Sequence, residues 1–146
     1  MTLLRMDNVG VVVDDLAAAI AFFDELGLEL EGKAQVEGHW VDRIVGLDGV
    51  QVDIAMMRMP DGCGRLELMK FRRPKLPNAK RENVPPNTLG IRRIMFAVED
   101  IEKVLTRLRA RGAELVGELA QYEDSYRLCY IRGPEGIVIG LAEALR

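Results

Sequence analysis

The chain has 146 residues, 49% hydrophobic and 29% charged, with a formal net charge of −3. That balance suits one folded domain and argues against a disordered chain. A mildly acidic chain is not drawn to phosphate backbones, and no apolar run approaches the roughly 20 residues of a membrane helix, so neither nucleic acid nor membrane is expected as a partner.

The start of the chain, residues 1–7, lacks the long apolar core of a secretory signal, so a cytoplasmic location is expected. An apolar run, Val9–Val13, predicts a first strand. Asp15 then stands where a carboxylate suits the free N–H groups of a helix start. Leu16, Ala19, Ile20 and Phe23 follow at the spacing of an amphipathic helix, and Gly27 marks its end. Three strand-like stretches come next, at about 28–37, 50–59 and 65–71, the last two joined by Pro-Asp-Gly at 60–62. An insertion, His39–Leu47, has room for one or two short helical turns. Residues 72–88, with Pro74, Pro77, Pro85 and Pro86 among many charges, read as a linker. The series then begins again. Ile94–Val98 predicts a strand, Asp100 a helix start, and Ile101, Val104, Leu105 and Leu108 a helix stripe closed by Gly112. Strands follow at about 114–122, 126–132 and 137–142, with Pro-Glu-Gly at 134–136 in the last turn. Cys63 and Cys129 have no metal or redox spacing and read as reduced thiols.

This second series is a repeat of the first. Residues 93–119 lie on residues 8–34 without a gap, setting Asp100 on Asp15, Leu105 on Ile20, Gly112 on Gly27 and Gly117 on Gly32. The expected fold is α+β: two tandem βαβββ modules, residues 1–71 and 89–146, joined by 72–88 within a single domain. Each module would carry a four-stranded, curved mixed sheet with its helix on the convex side, and the two sheets would enclose a cleft. A ferredoxin-like repeat has too few strands after each helix to fit as well.

Strand alternation sorts the side chains. Asn8, Gly10 and Val12 would face the cleft from the first strand, Glu67 and Met69 from the fourth, Arg93 and Met95 from the fifth. On the third strand the apolar set Val50, Val52, Ile54 and Met56 is assigned to the core, which turns Asp53 and Met57 to the cleft. Tyr126, Leu128 and Tyr130 share one face of the seventh strand.

The blocks "DNVGVVVDDLAAAIAFFDELGLEL", "GRLELMKF", "GIRRIMFAVEDI" and "RGPEGIVIGLAE" resemble those of the vicinal oxygen chelate superfamily of glyoxalases, bleomycin-resistance proteins and extradiol dioxygenases. The resemblance implies the glyoxalase/bleomycin resistance/dihydroxybiphenyl dioxygenase-like fold. In metal-using relatives the ligands, usually His, Gln or Glu, come from the first and last strands of each module. Carried over, those positions hold Asn8, Glu67, Arg93 and Gly140. Arg93 cannot ligate and Gly140 has no side chain, so a divalent metal is not expected and no cofactor is implied. Tyr130 matches a ligand-contacting tyrosine of fosfomycin-modifying relatives.

A metal-independent protein is thus expected, binding a small amphipathic organic ligand in the cleft through Asn8, Asp53, Met57, Glu67, Met69, Arg93, Met95 and Tyr130. Two other readings stand beside it. Glu67 as general base would make the chain a glyoxalase- or epimerase-like lyase or isomerase; an ion pair with Arg93 would lower its pKa and oppose that role. An antibiotic-sequestering resistance protein is the third, though an aromatic content of 5% suits a large planar drug poorly. A lone histidine, His39, beside Trp40 on the insertion reads as a surface or lid residue. Such proteins usually pair, so a homodimer is expected.

Overall fold

The computed structural model describes residues 2–77 and 83–145, which fall into two compact units divided between residues 79 and 80. Residues 78–82 of the expected linker lie outside the described residues. Each unit builds its own four-stranded mixed sheet.

The first unit runs β1 (Val9–Val12), α1 (Leu16–Leu26), β2 (Glu29–Glu37), α2 (His39–Val45), β3 (Gln51–Arg58) and β4 (Arg65–Arg73). Its sheet order is β1-β4-β3-β2. β1 lies parallel to β4, with Val9 beside Leu66 and Val12 beside Met69, while β4, β3 and β2 pair antiparallel. α1 starts where Asp15 Oδ1 accepts from Ala18 N at 3.0 Å. It stops at Gly27, whose φ of 126° lets its own N–H and that of Leu28 turn back to the carbonyl of Phe23 at 3.1 and 2.9 Å. The helix buries Ala19, Phe22, Phe23 and Leu26. Phe22 and Leu26 therefore displace Leu16 and Ile20, which are half-buried, from the expected stripe. Phe22 and Phe23 meet edge to face at 5.2 Å. Phe23, Met57 and Leu68 are fully enclosed, each burial stabilising by about 1.5–3 kcal/mol.

The insertion forms α2, which covers one end of the opposite sheet face. Val41 packs there with Val50 and Val52, and Val36, Ile54, Met69 and Phe71 join them partly buried. Asp42 holds the loop behind α2 in place, accepting from Gly49 N at 3.0 Å and Val50 N at 2.8 Å.

The second unit runs β5 (Arg93–Ala97), α3 (Ile101–Ala110), β6 (Ala120–Tyr122), β7 (Tyr126–Arg132) and β8 (Val138–Ala144), in the order β5-β8-β7-β6. All four expected stripe residues of α3 are buried. Two carboxylates cap it: Asp100 accepts from Lys103 N at 3.2 Å, and Glu143, reaching over from β8, accepts from Ile101 N at 2.8 Å. The strand expected at 114–122 is split. Leu115 makes an isolated bridge to Ile131, and regular pairing resumes only at Ala120. In the Pro-Glu-Gly turn Glu135 and Gly136 both have positive φ, 59° and 78°. No helix of the described residues is long and apolar enough to cross a membrane.

Candidate functional site

Each sheet has a face turned away from its long helix. On the first unit the register sets Gly10 beside Glu67 and Glu67 beside Met56, so these three share that face. Val12, Met69 and Ile54 lie on it one step along. Alternation adds Asn8 at one end. Glu67 is half-buried, and its side chain makes no hydrogen bond or ion pair among the described residues. Asn8 is also half-buried, and its amide donates to Asp7 at 3.0 Å. That hydrogen bond, and Arg65 bonded to the same carboxylate at 3.1 Å, hold the Asp7 carboxyl below its usual range.

The expected orientation of β3 is reversed. Ala55 and Met57 are completely buried and stand beside Leu68 and Leu66 on the helix side. Met57 thus belongs to the core and presents nothing to a ligand. Asp53 lies on that side too. It stands beside Lys70, pairs with Arg72 at 3.0 Å, and borders a recess of about 360 Å³ together with Leu16 of α1. The face assigned to the core, Val52, Ile54 and Met56, is the one Glu67 shares. Met56 and Ile54 are the residues the alternation argument missed.

On the second unit Arg93, Met95 and Ala97 are exposed on β5, with Ile94 and Phe96 turned to the helix. The register continues this face through Val138, Gly140 and Ala142 of β8 to Arg132, Tyr130 and Leu128 of β7. The Arg93 guanidinium lies over the Tyr130 ring, 5.1 Å from its centroid. Among the described residues no carboxylate is paired with it. Arg132, on the same face, is engaged with the backbone, donating to Gly136 O at 3.0 Å and Val84 O at 2.6 Å. Its place two residues beyond Tyr130 was legible from strand alternation. The structure therefore gathers Asn8, Glu67 and Met69 on one face, and Arg93, Met95, Tyr130 and Gly140 on another. His39, at the start of α2, borders a separate recess with Glu37, Asp42 and Arg73.

Comparison with known proteins identifies the architecture. The family model "Glyoxalase/Bleomycin resistance protein/Dioxygenase superfamily" matches residues 5–141. The chain belongs to this superfamily. A glyoxalase family protein from Bacillus cereus is 57% identical, with a TM-score of 0.95, the match covering 100% of this chain and 97% of that one. The protein YwbC of Bacillus subtilis (strain 168) is 27% identical over 135 residues, 90% of this chain and 91% of its own. TnmS3, an antibiotic binding protein from Streptomyces sp. CB03234, shares the fold at 19% identity and a TM-score of 0.60, with 99% of this chain and 98% of that one covered.

Within this superfamily fold, the four positions that the resemblance links to metal carry an amide, a carboxylate, a guanidinium and no side chain, at Asn8, Glu67, Arg93 and Gly140. One carboxylate and one amide do not make a transition-metal donor set.

Proposed function

We propose that this chain is a metal-independent superfamily member that binds a small amphipathic anion on the open face of its second unit. The observation that carries this reading is Arg93, exposed, stacked on Tyr130 and without a carboxylate partner among the described residues. A guanidinium so held keeps its donor edge for a ligand carboxylate, and the ring beneath it limits the orientations it must give up on binding. Met95, Ala97, Leu128 and Ala142 supply apolar surface on the same face. The donor chemistry of the four strand positions supports metal independence.

A thermal-shift screen of small acids beside their uncharged alcohols tests the reading. Acids should raise the melting temperature where the alcohols do not, and Arg93→Gln should abolish the difference. Equal response to acid and alcohol would contradict it. Antibiotics belong in the same screen, given the antibiotic-binding relative of this fold.

One observation favours a second reading. Glu67 is half-buried and unpartnered among the described residues, which suits a general base in a glyoxalase- or epimerase-like lyase or isomerase. On the main reading the methylglyoxal–glutathione adduct is not turned over, with or without added nickel or zinc. Turnover that disappears in Glu67→Gln would promote the second reading.

The proposal includes a twofold homodimer. Leu3, Leu4, Met6, Ile44, Leu89 and Ile91 are each at least three-quarters exposed in the single chain, apolar side chains that a partner chain would cover. Light scattering at micromolar concentration should return about twice the 16.3 kDa of one chain; a single-chain mass throughout that range would contradict it.

A further inference from the structure

Two strand glycines, Gly10 and Gly140, are not there for backbone freedom. Neither is among the glycines with positive φ, so any residue fits their backbone. A glycine inside a strand weakens it, and it commonly marks a close approach by another group. That group is a methionine in both units. A Cβ on Gly10 would lie 2.8 Å from Met69 Cε. A Cβ on Gly140 would overlap Met95 Sδ, with Met95 Cε 3.1 Å and Cγ 3.3 Å away. The parts are exchanged between the units: glycine on the first strand and methionine on the last in one, the reverse in the other.

We propose that Met95, folded down over Gly140, sets the size of the ligand that the second unit accepts, and that this ligand is a short unbranched aliphatic monocarboxylate. The inference rests on the anion-binding reading above. Gly140 is the register partner of both Met95 and Tyr130, so the thioether lies in the strip beside the Arg93–Tyr130 pair. Met95 is still 42% exposed, so its outer side is open to a ligand. The Tyr130 ring is engaged by Arg93. What remains beside the cation is a thioether and small or aliphatic side chains, a surface that fits a flexible alkyl chain better than a stacked ring. Gly140 leaves the place of a Cβ to the Met95 thioether, and the bulk of that thioether bounds the strip left for the alkyl chain.

The test is NMR of methyl-¹³C methionine in the full chain, with n-alkanoates from butyrate to dodecanoate as probes. The Met95 signal is assigned by its loss in Met95→Ala. In the absence of probe, Gly140→Ala should shift that signal, because the new Cβ takes the thioether's place. In the parent, alkanoates should move the same signal, and affinity should rise roughly fourfold per methylene up to a limiting chain length. Met95→Ala should extend that limit by about three carbons, the heavy atoms removed beyond Cβ. Gly140→Ala should shorten it, and the double variant should restore it. A Met95 signal unmoved by Gly140→Ala overturns the packing itself. An unchanged chain-length limit in all variants overturns the role of Met95 while leaving anion binding intact. Failure of every alkanoate to bind the parent removes the anion-binding reading and this inference with it.

Discussion

Arg93 contributes little to the fold and much to the proposed site. An exposed cation over an aromatic ring is worth about 0.5–1 kcal/mol, so Arg93→Ala should lower stability by no more than that in a urea melt while removing acid binding. Leu68→Ala is the contrasting case. Leu68 is fully enclosed, and its truncation should cost about 2–5 kcal/mol. If Arg93→Ala costs as much as Leu68→Ala, the arginine is a structural member and not a ligand group. Asp42 behaves differently again. The N–H groups of Val50 and Gly49, and then the nearby His39, hold its carboxyl below the usual 3.8. A carboxyl whose pKa is depressed by folding adds stability that is complete above its unfolded value and is lost as the pH falls through its folded one. Asp42→Asn should therefore be less stable than the parent at neutral pH, with the gap closing as the pH drops from about 4 toward 2. A gap that stays constant over that range would mean the charge does not hold the loop.

The helix ends are where local chemistry reads most directly into structure. Asp15 and Asp100 both cap as their positions imply, and Asp15→Ala should cost about 1 kcal/mol in denaturant midpoint measurements. Glu143 was not recognisable as a cap because it lies 42 residues from the N–H it accepts. Its truncation to Ala should cost about as much as Asp100→Ala, on the order of 1 kcal/mol; no effect would make the Ile101 contact incidental. The same contrast of local and distant explains the strands. Alternation put Glu67 with Met69, and Arg93 with Met95, on one face of their strands, and the register has both pairs on the face turned away from the long helix. It failed on β3, where α2 lays a second apolar cluster over Val52 and Ile54. The face that meets α1 carries Asp53 beside Ala55 and Met57, so the more apolar face of β3 is not the one turned to the long helix. The methionine folded over Gly140 was equally illegible: a strand glycine looks the same whether it serves the backbone or a neighbour's side chain. α1 buries Phe22 and Leu26 as well as Phe23, a rotation of the stripe that a hydrophobic sequence, LAAAIAFFDEL, leaves undetermined.

The whole chain carries the fold of its superfamily with a different set of groups at the positions the resemblance links to metal. Fold alone does not decide whether a member uses a metal. The central claim is that an anionic ligand is held by a protein cation instead. The direct measurement is a calorimetric titration of octanoate into protein stripped with chelator, repeated after nickel or zinc is returned. The account predicts the same dissociation constant in both titrations and at least a tenfold weakening in Arg93→Gln, consistent with loss of about 1.4 kcal/mol or more from a charge-assisted pair. Binding that appears only when the metal is returned, or that Arg93→Gln leaves unchanged, would contradict it.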